Sequence, residues 1–197
     1  MPKGPNVGFV RPEVEKQMPK WLLVDDCVEG STAVKDKDRR EVYLPKPDVH
    51  IDENTNNKIY EAYVKRAVFL PATEKTLDSL VGQVFSKPIT YEMPSELEFL
   101  VEDTDGSGIT LEQQARAAVS ENAKKGRGGF LSDFPKIETG RDVTKQEMQD
   151  KKVRSRIIHY SADQIINWGT TVVGGETKLT MLVLLEYKNV RNGFEIK

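Results

Sequence analysis

The sequence predicts an α+β fold, a helical N-terminal half followed by a β-rich segment that contains a hairpin. Three observations carry this. Up to Lys125 the apolar residues recur mostly at helical spacing, and past Gly126 the period shortens to two. The pair Gly174-Gly175 then separates two β-rich runs, as a tight hairpin turn requires. Helices first and strands later, without repeats or low-complexity stretches, is the order of an α+β chain. The expected divisions are a flexible N-terminal arm over 1–18, a helical part over 19–126 and a β-rich part over 127–197.

The arm is expected to be mobile because prolines at 2, 5 and 12 and glycines at 4 and 8 interrupt it. After Pro19, Trp21, Val24 and Val28 share one helical face until Gly30, which places a helix over about 18–29 with Cys27 as a small buried hydrophobe. The mixed-charge run KDKDRR, Lys35 to Arg40, reads as a solvated loop, and YLPKPD, Tyr43 to Asp48, as another loop. From Asn54 to about Leu70, Ile59, Ala62, Tyr63, Arg66, Ala67 and Leu70 form a helical stripe. Pro71 interrupts it, and from Thr73 to Phe85 a second stripe gathers Leu77, Leu80, Val81, Val84 and Phe85; the pair is either two helices or one kinked rod. Shorter helical segments follow over Ser95 to about Glu102 and over Leu111 to Lys125, the latter with a small-residue inner face of Leu111, Ala115, Ala118 and Val119.

In the β-rich part, GGFLSDF (Gly128 to Phe134) and RIIHY (Arg156 to Tyr160) read as strands, with a polar loop or short exposed helix over Glu138 to Lys152 between them. In the last strand Leu179, Met181, Val183, Leu185 and Tyr187 fall on one face and Leu182 and Leu184 on the other, so it is expected to be covered on both sides for part of its length.

Composition narrows the function. Hydrophobic residues make up 38% and charged residues 30% of 197 residues, with a net charge of −2, which suits a solvated globular surface and not a dedicated nucleic-acid binder. The N-terminus lacks the apolar core of a signal peptide and no run approaches a membrane span, so an intracellular, reducing site of synthesis is expected. Catalysis has no foothold: neither His50 nor His159 has a Ser or Cys nucleophile at a motif spacing, and one cysteine with two histidines is too few for structural zinc. The expectation is no enzyme, no cofactor, no catalytic or metal-binding residue. KKGRGGF, Lys124 to Phe130, ends a helix and opens a strand, the reverse of a phosphate loop; Gly126 as a helix C-cap beside Lys124, Lys125 and Arg127 accounts for it.

One motif competes. DTDGSG, from Asp103, resembles the start of a calcium loop, with Asp105 at position 3, Ser107 at 5 and Gly108 at 6. Position 12, where the bidentate Glu belongs, is Gln114, and the apolar residue expected at position 8 comes one place early as Ile109. A small calcium-responsive binding module built on Asp103–Gln114 is therefore the alternative to a tight turn leading into a helix. The turn has its own support, because Thr110 and Gln113 are spaced as a capping box.

Several stretches in one order resemble a known family. YEAYVKRAVFLPATEKTLDSLVGQVFSKP (Tyr60 to Pro88), DTDGSGITLEQQAR (Asp103 to Arg116), GRGGFLSDFP (Gly126 to Pro135), YSADQIINW (Tyr160 to Trp168) and the Gly174-Gly175 hairpin are together similar to the N-terminal wing portion of portal proteins from tailed bacteriophages and prophages. The resemblance covers roughly residues 20 to 187 and rests on collinearity. It implies a structural subunit of a homo-oligomeric ring, commonly a dodecamer, through which DNA is packaged and ejected. The ring sits at the portal vertex of the virion as head–tail connector and docking platform. Implied partners are the capsid protein, the packaging motor (terminase) and tail or adaptor proteins; the chain is made in the bacterial host cytoplasm. DNA passes without sequence-specific binding, so no DNA-binding residue is carried over. The helical and β-rich parts belong to the wing, and the stem and clip of portals lie downstream, so this chain is expected to be a truncated piece or a split or degenerate product.

Overall fold

A computed structural model describes residues 6–46, 50–134 and 154–187 and the two-residue strands Arg191–Asn192 and Glu195–Ile196. The segment expected as a polar loop or exposed helix over 138–152 lies outside the described residues, as does the start of the arm. The chain is α+β. It divides into two compact units, one of Met18–Lys87 and one of Met1–Gln17 with Pro88–Lys197.

The first helix, α1 (Pro12–Glu29), starts well before the expected 18. Pro12 stands where a missing N–H costs nothing, and Glu13 and Glu15 suit the positive helix end. Pro19 lies inside α1, so the proline that marked a boundary in the sequence is tolerated in the helix.

In the Met18–Lys87 unit, Trp21, Ala33, Val34, Tyr60, Val64 and Leu77 are the buried apolar residues, while Cys27 is only half-buried. Asp26 on α1 is 1% exposed; it accepts a 2.6 Å hydrogen bond from the Tyr43 hydroxyl and pairs with Arg39. These contacts tie α1 to α3 (Arg40–Tyr43) across the single turn α2 (Ser31–Val34). Arg40 donates to Glu61 at 2.7 Å and lies 5.0 Å over the Tyr60 ring, which joins α3 to α4 (Glu53–Arg66). The run KDKDRR is thus not merely a solvated loop. Its two arginines hold helices together, a role invisible without their distant partners.

Helix α4 starts where the Asp52 carboxylate accepts from Thr55 N–H at 3.0 Å. Its buried face is Asn56, Tyr60 and Val64, not the expected stripe, and Ile59 is 42% exposed. The guanidinium over Tyr60 selects the face that a weak apolar pattern left ambiguous. Helix α5 (Ala72–Val84) is separate from α4, which settles the kinked-rod alternative. Of its predicted stripe only Leu77 is buried; Leu80 and Val84 are 49% and 60% exposed. Periodicity reports that a face is apolar, not what covers it.

In the other unit, a 3-10 turn at Ser95–Leu97 and the single turn α6 (Phe99–Glu102) replace the expected continuous helix. Helix α7 (Leu111–Lys125) follows the acidic turn and ends at left-handed Gly126, as expected. Its fully buried positions are Gln114 and Glu121, however, while the predicted small-residue face is only half-buried. Strands β1 (Gly129–Asp133) and β2 (Arg156–Tyr160) pair antiparallel with Phe130 opposite His159. Strands β3 (Ile165–Val173) and β4 (Glu176–Leu184) form the hairpin, closed by Gly174 and Gly175 at φ 62° and 84°, the two positive angles such a turn demands. Strands β5 (Arg191–Asn192) and β6 (Glu195–Ile196) form a third antiparallel pair. Among the described residues no helix is long and apolar enough to cross a membrane.

Burial separates two leucines of α5 that the sequence treats alike. Leu77→Ala is expected to cost about 2–5 kcal/mol in denaturant unfolding and Leu80→Ala less than about 1. Equal losses would show that the predicted stripe is buried after all.

Candidate functional site

The acidic turn is built from its own backbone. Asp103 Oδ1 accepts from the N–H groups of Gly106 at 2.8 Å and Gly108 at 3.0 Å, and its other oxygen pairs with Arg154. Ser107 donates both its N–H and its hydroxyl to Asp105 Oδ1 at 2.8 Å. Gly106 and Gly108, at φ 89° and 92°, supply the left-handed backbone that lets the chain wrap a carboxylate. The bond from Gly108 is the main reason the Asp103 carboxyl sits below its usual range; burial opposes it, and Gly106 and Arg154 add to it.

The turn then grips a strand. Thr104 is fully buried, its N–H and hydroxyl donate to Ile109 O at 2.8 and 3.0 Å, and its carbonyl accepts from Ile157 N–H at 2.8 Å. Gln114, at the calcium-loop position that calls for Glu, is buried and donates to Ile157 O at 2.6 Å. Both backbone groups on the outer side of β2 at Ile157 are satisfied by this turn. The capping box is formed, with Thr110 Oγ1 accepting from Gln113 N–H at 3.2 Å and Gln113 Oε1 from Thr110 N–H at 3.0 Å. Among the described residues no three His, Cys, Asp or Glu side chains group as metal ligands.

The base of the hairpin is fastened in the same way. Arg11 donates its backbone N–H to Ile166 O at 3.0 Å and its guanidinium to Trp168 O at 2.9 Å, and lies 4.2 Å over the Trp168 ring. Arg127, 5.2 Å over the same ring, donates to Ala162 O at 2.7 Å and Ile165 O at 2.5 Å. Each contact of this cation–π kind contributes on the order of 1 kcal/mol. The turn before β3 is held by Ser161, whose hydroxyl donates to Asp163 at 2.8 Å, and by Lys125, which bridges Asp163 at 3.0 Å and buried Glu121 at 3.2 Å. Burial works to raise Asp163, but its bonds from Lys125 and Ser161 outweigh it and leave the carboxyl below its usual value. The basic residues of KKGRGGF are thus engaged within the fold.

Towards its tip the hairpin is bare. Val172, Val173, Leu179, Met181 and Leu182 are exposed by 43% to 68%, so β4 is not covered on both sides as predicted. Nor does the predicted alternation hold. Gly169 pairs with Met181 and Thr170 with Leu179, which leaves Thr180 as a bulge and shifts the pattern by one residue. Leu179 therefore joins the face of Leu182 and Leu184, and Met181 and Val183 share the other.

His159 faces Phe130 at 5.3 Å with Nε2 buried and unpartnered; burial pushes its pKa down, opposed by Glu121, which suits a neutral structural imidazole. His50 is exposed and sits just ahead of α4. Of the arginines that do most of the fastening, Arg11 and Arg154 carried no motif, and Arg39, Arg40 and Arg127 signalled only a charge run and a helix cap; charge beside an aromatic distant in sequence leaves no local signal. No protein-family model matches the chain, and no curated protein sequence matches it.

Two measurements follow from these bonds. Asp103 has a depressed pKa, so its stabilisation is complete above the ordinary carboxylate range and is lost as pH falls through its folded value. Asp103→Ala is expected to lower Tm at pH 7, with the deficit shrinking in acid melts; a deficit unchanged by pH would sink the assignment. Tyr43, through its bond to Asp26, and Tyr160, through burial and its bond to Glu186, are both pushed up to about 12. Their contributions are intact below pH 10 and lost as pH rises through about 12. Burial raises Tyr60 as well, so ultraviolet titration should show late tyrosines from which Tyr43→Phe removes one and Tyr160→Phe another.

Proposed function

We propose that this chain is the N-terminal wing portion of a portal-type ring subunit, a structural protein of the virion through which phage DNA enters and leaves the capsid. The observation that carries the proposal is the hairpin β3–β4, fastened at its base by two arginines and exposing apolar side chains towards its tip. Exposed apolar surface of this kind marks a contact with another chain. The collinear blocks from Tyr60 to the Gly174-Gly175 turn supply the family.

The chemistry is compatible with a passive conduit. The acidic turn spends its carboxylates on backbone N–H groups, and Gln114 on a strand edge. A net charge of −2 suits a wall past which DNA slides without being held. On this proposal the neighbours are further copies of the chain, commonly twelve, together with capsid protein, terminase and tail or adaptor proteins.

Negative-stain electron microscopy and light scattering of the protein expressed from its full reading frame test the proposal. Rings with a central hole are the expected outcome. A monodisperse monomer at micromolar concentration would overturn it, and saturable calcium binding abolished by Asp103→Ala would put the binding-module alternative in its place.

A further inference from the structure

Helix α1 is shared by the two compact units: Pro12–Gln17 belongs to one and Met18–Glu29 to the other. Each end is anchored in its own unit. Arg11, which leads into the helix, is fastened to Ile166 and Trp168, whereas Asp26 is gripped by Tyr43 and Arg39. Val14 and Trp21 are buried, but no residue of the helix between them is. The helix is thus held at both ends and uncovered in between.

Pro19 stands in this uncovered stretch. It has no N–H to give the Glu15 carbonyl, and its ring crowds that carbonyl. The bond that cannot form would have spanned residues 15–19, and the division between the units, after Gln17, falls inside that span. A helix weakened where side chains pack against it is still held by them; here none is buried to do so. The chain passes between the units a second time at Lys87–Pro88, and residues 88–94 form no helix or strand that would stiffen that passage. We propose that Pro19 is a hinge, at which α1 bends and the two units turn as separate bodies. Hinges are a few residues that absorb changes in φ and ψ while the elements on either side keep theirs, and Pro19 lies between two anchored half-helices. The inference does not depend on the ring proposal.

The test is double electron–electron resonance on the full chain in a Cys27→Ala background. Spin labels are placed at Lys58→Cys on α4 and Ala117→Cys on α7, exposed positions in different units, and the sample is diluted with unlabelled protein so that only pairs within one molecule contribute. The expected result is a broad distance distribution that Pro19→Ala narrows by at least about twofold, because alanine restores the missing bond. Alanine is the better helix former, so the variant is expected to fold. A distribution already narrow with Pro19 in place, or one whose mean shifts in Pro19→Ala without narrowing, makes the proline a rigid kink and overturns the hinge. Narrowing by Pro88→Ala and not by Pro19→Ala overturns it in favour of a joint in the second passage.

Discussion

The open edge of a two-stranded sheet is the constraint on which much of this structure depends. Such a sheet leaves an outward row of N–H and C=O groups on each strand, and a buried group without a partner costs more than most side-chain contacts return. In two of the three pairs the fold answers with a plug from a distant part of the sequence. Thr104 and Gln114 close β2 at Ile157, and Arg11 and Arg127 close β3 at Ile165, Ile166 and Trp168. The acidic turn takes its shape from the same constraint. Thr104 reaches the strand edge only if the chain doubles back within a few residues, and two glycines folded around a carboxylate allow that reversal.

Polar contacts also fix the helices, which follows from a composition with modest apolar content and small buried clusters. Asp26 is among the most buried side chains of the protein, and it is tolerable there because a guanidinium and a phenol both reach it. Glu121 is equally dependent on Lys124 and Lys125. Pairs of this kind add little net stability when weighed against an apolar replacement, yet breaking one partner is costly. Their effect is to specify one arrangement of short helices that apolar packing alone leaves degenerate.

What these contacts do not cover is as informative. The arginine fastening stops at the root of the β3–β4 hairpin, and the bulge at Thr180 turns Leu179 towards Leu182 and Leu184 in place of Met181. The result is a denser apolar face on an element that stands largely in solvent. The flank of α5 at Leu80 and Val84 is likewise left exposed. Polar contacts thus hold the interior while apolar side chains remain at the surface, the arrangement expected of an assembly subunit on the function proposed above.

The sequence by itself determined the features governed by neighbours a few residues apart. The capping box of Thr110 and Gln113, the left-handed cap at Gly126 and the turn at Gly174-Gly175 were legible because their partners lie within one turn of chain. Only the tertiary structure decided which faces are buried. Tyr60 in place of Ile59, Leu77 without Leu80, Gln114 used as an edge plug, and the two arginines of KDKDRR all depend on residues far away in sequence. Periodicity and charge are properties of a segment, whereas burial and pairing belong to two segments at once, and no local pattern records the second.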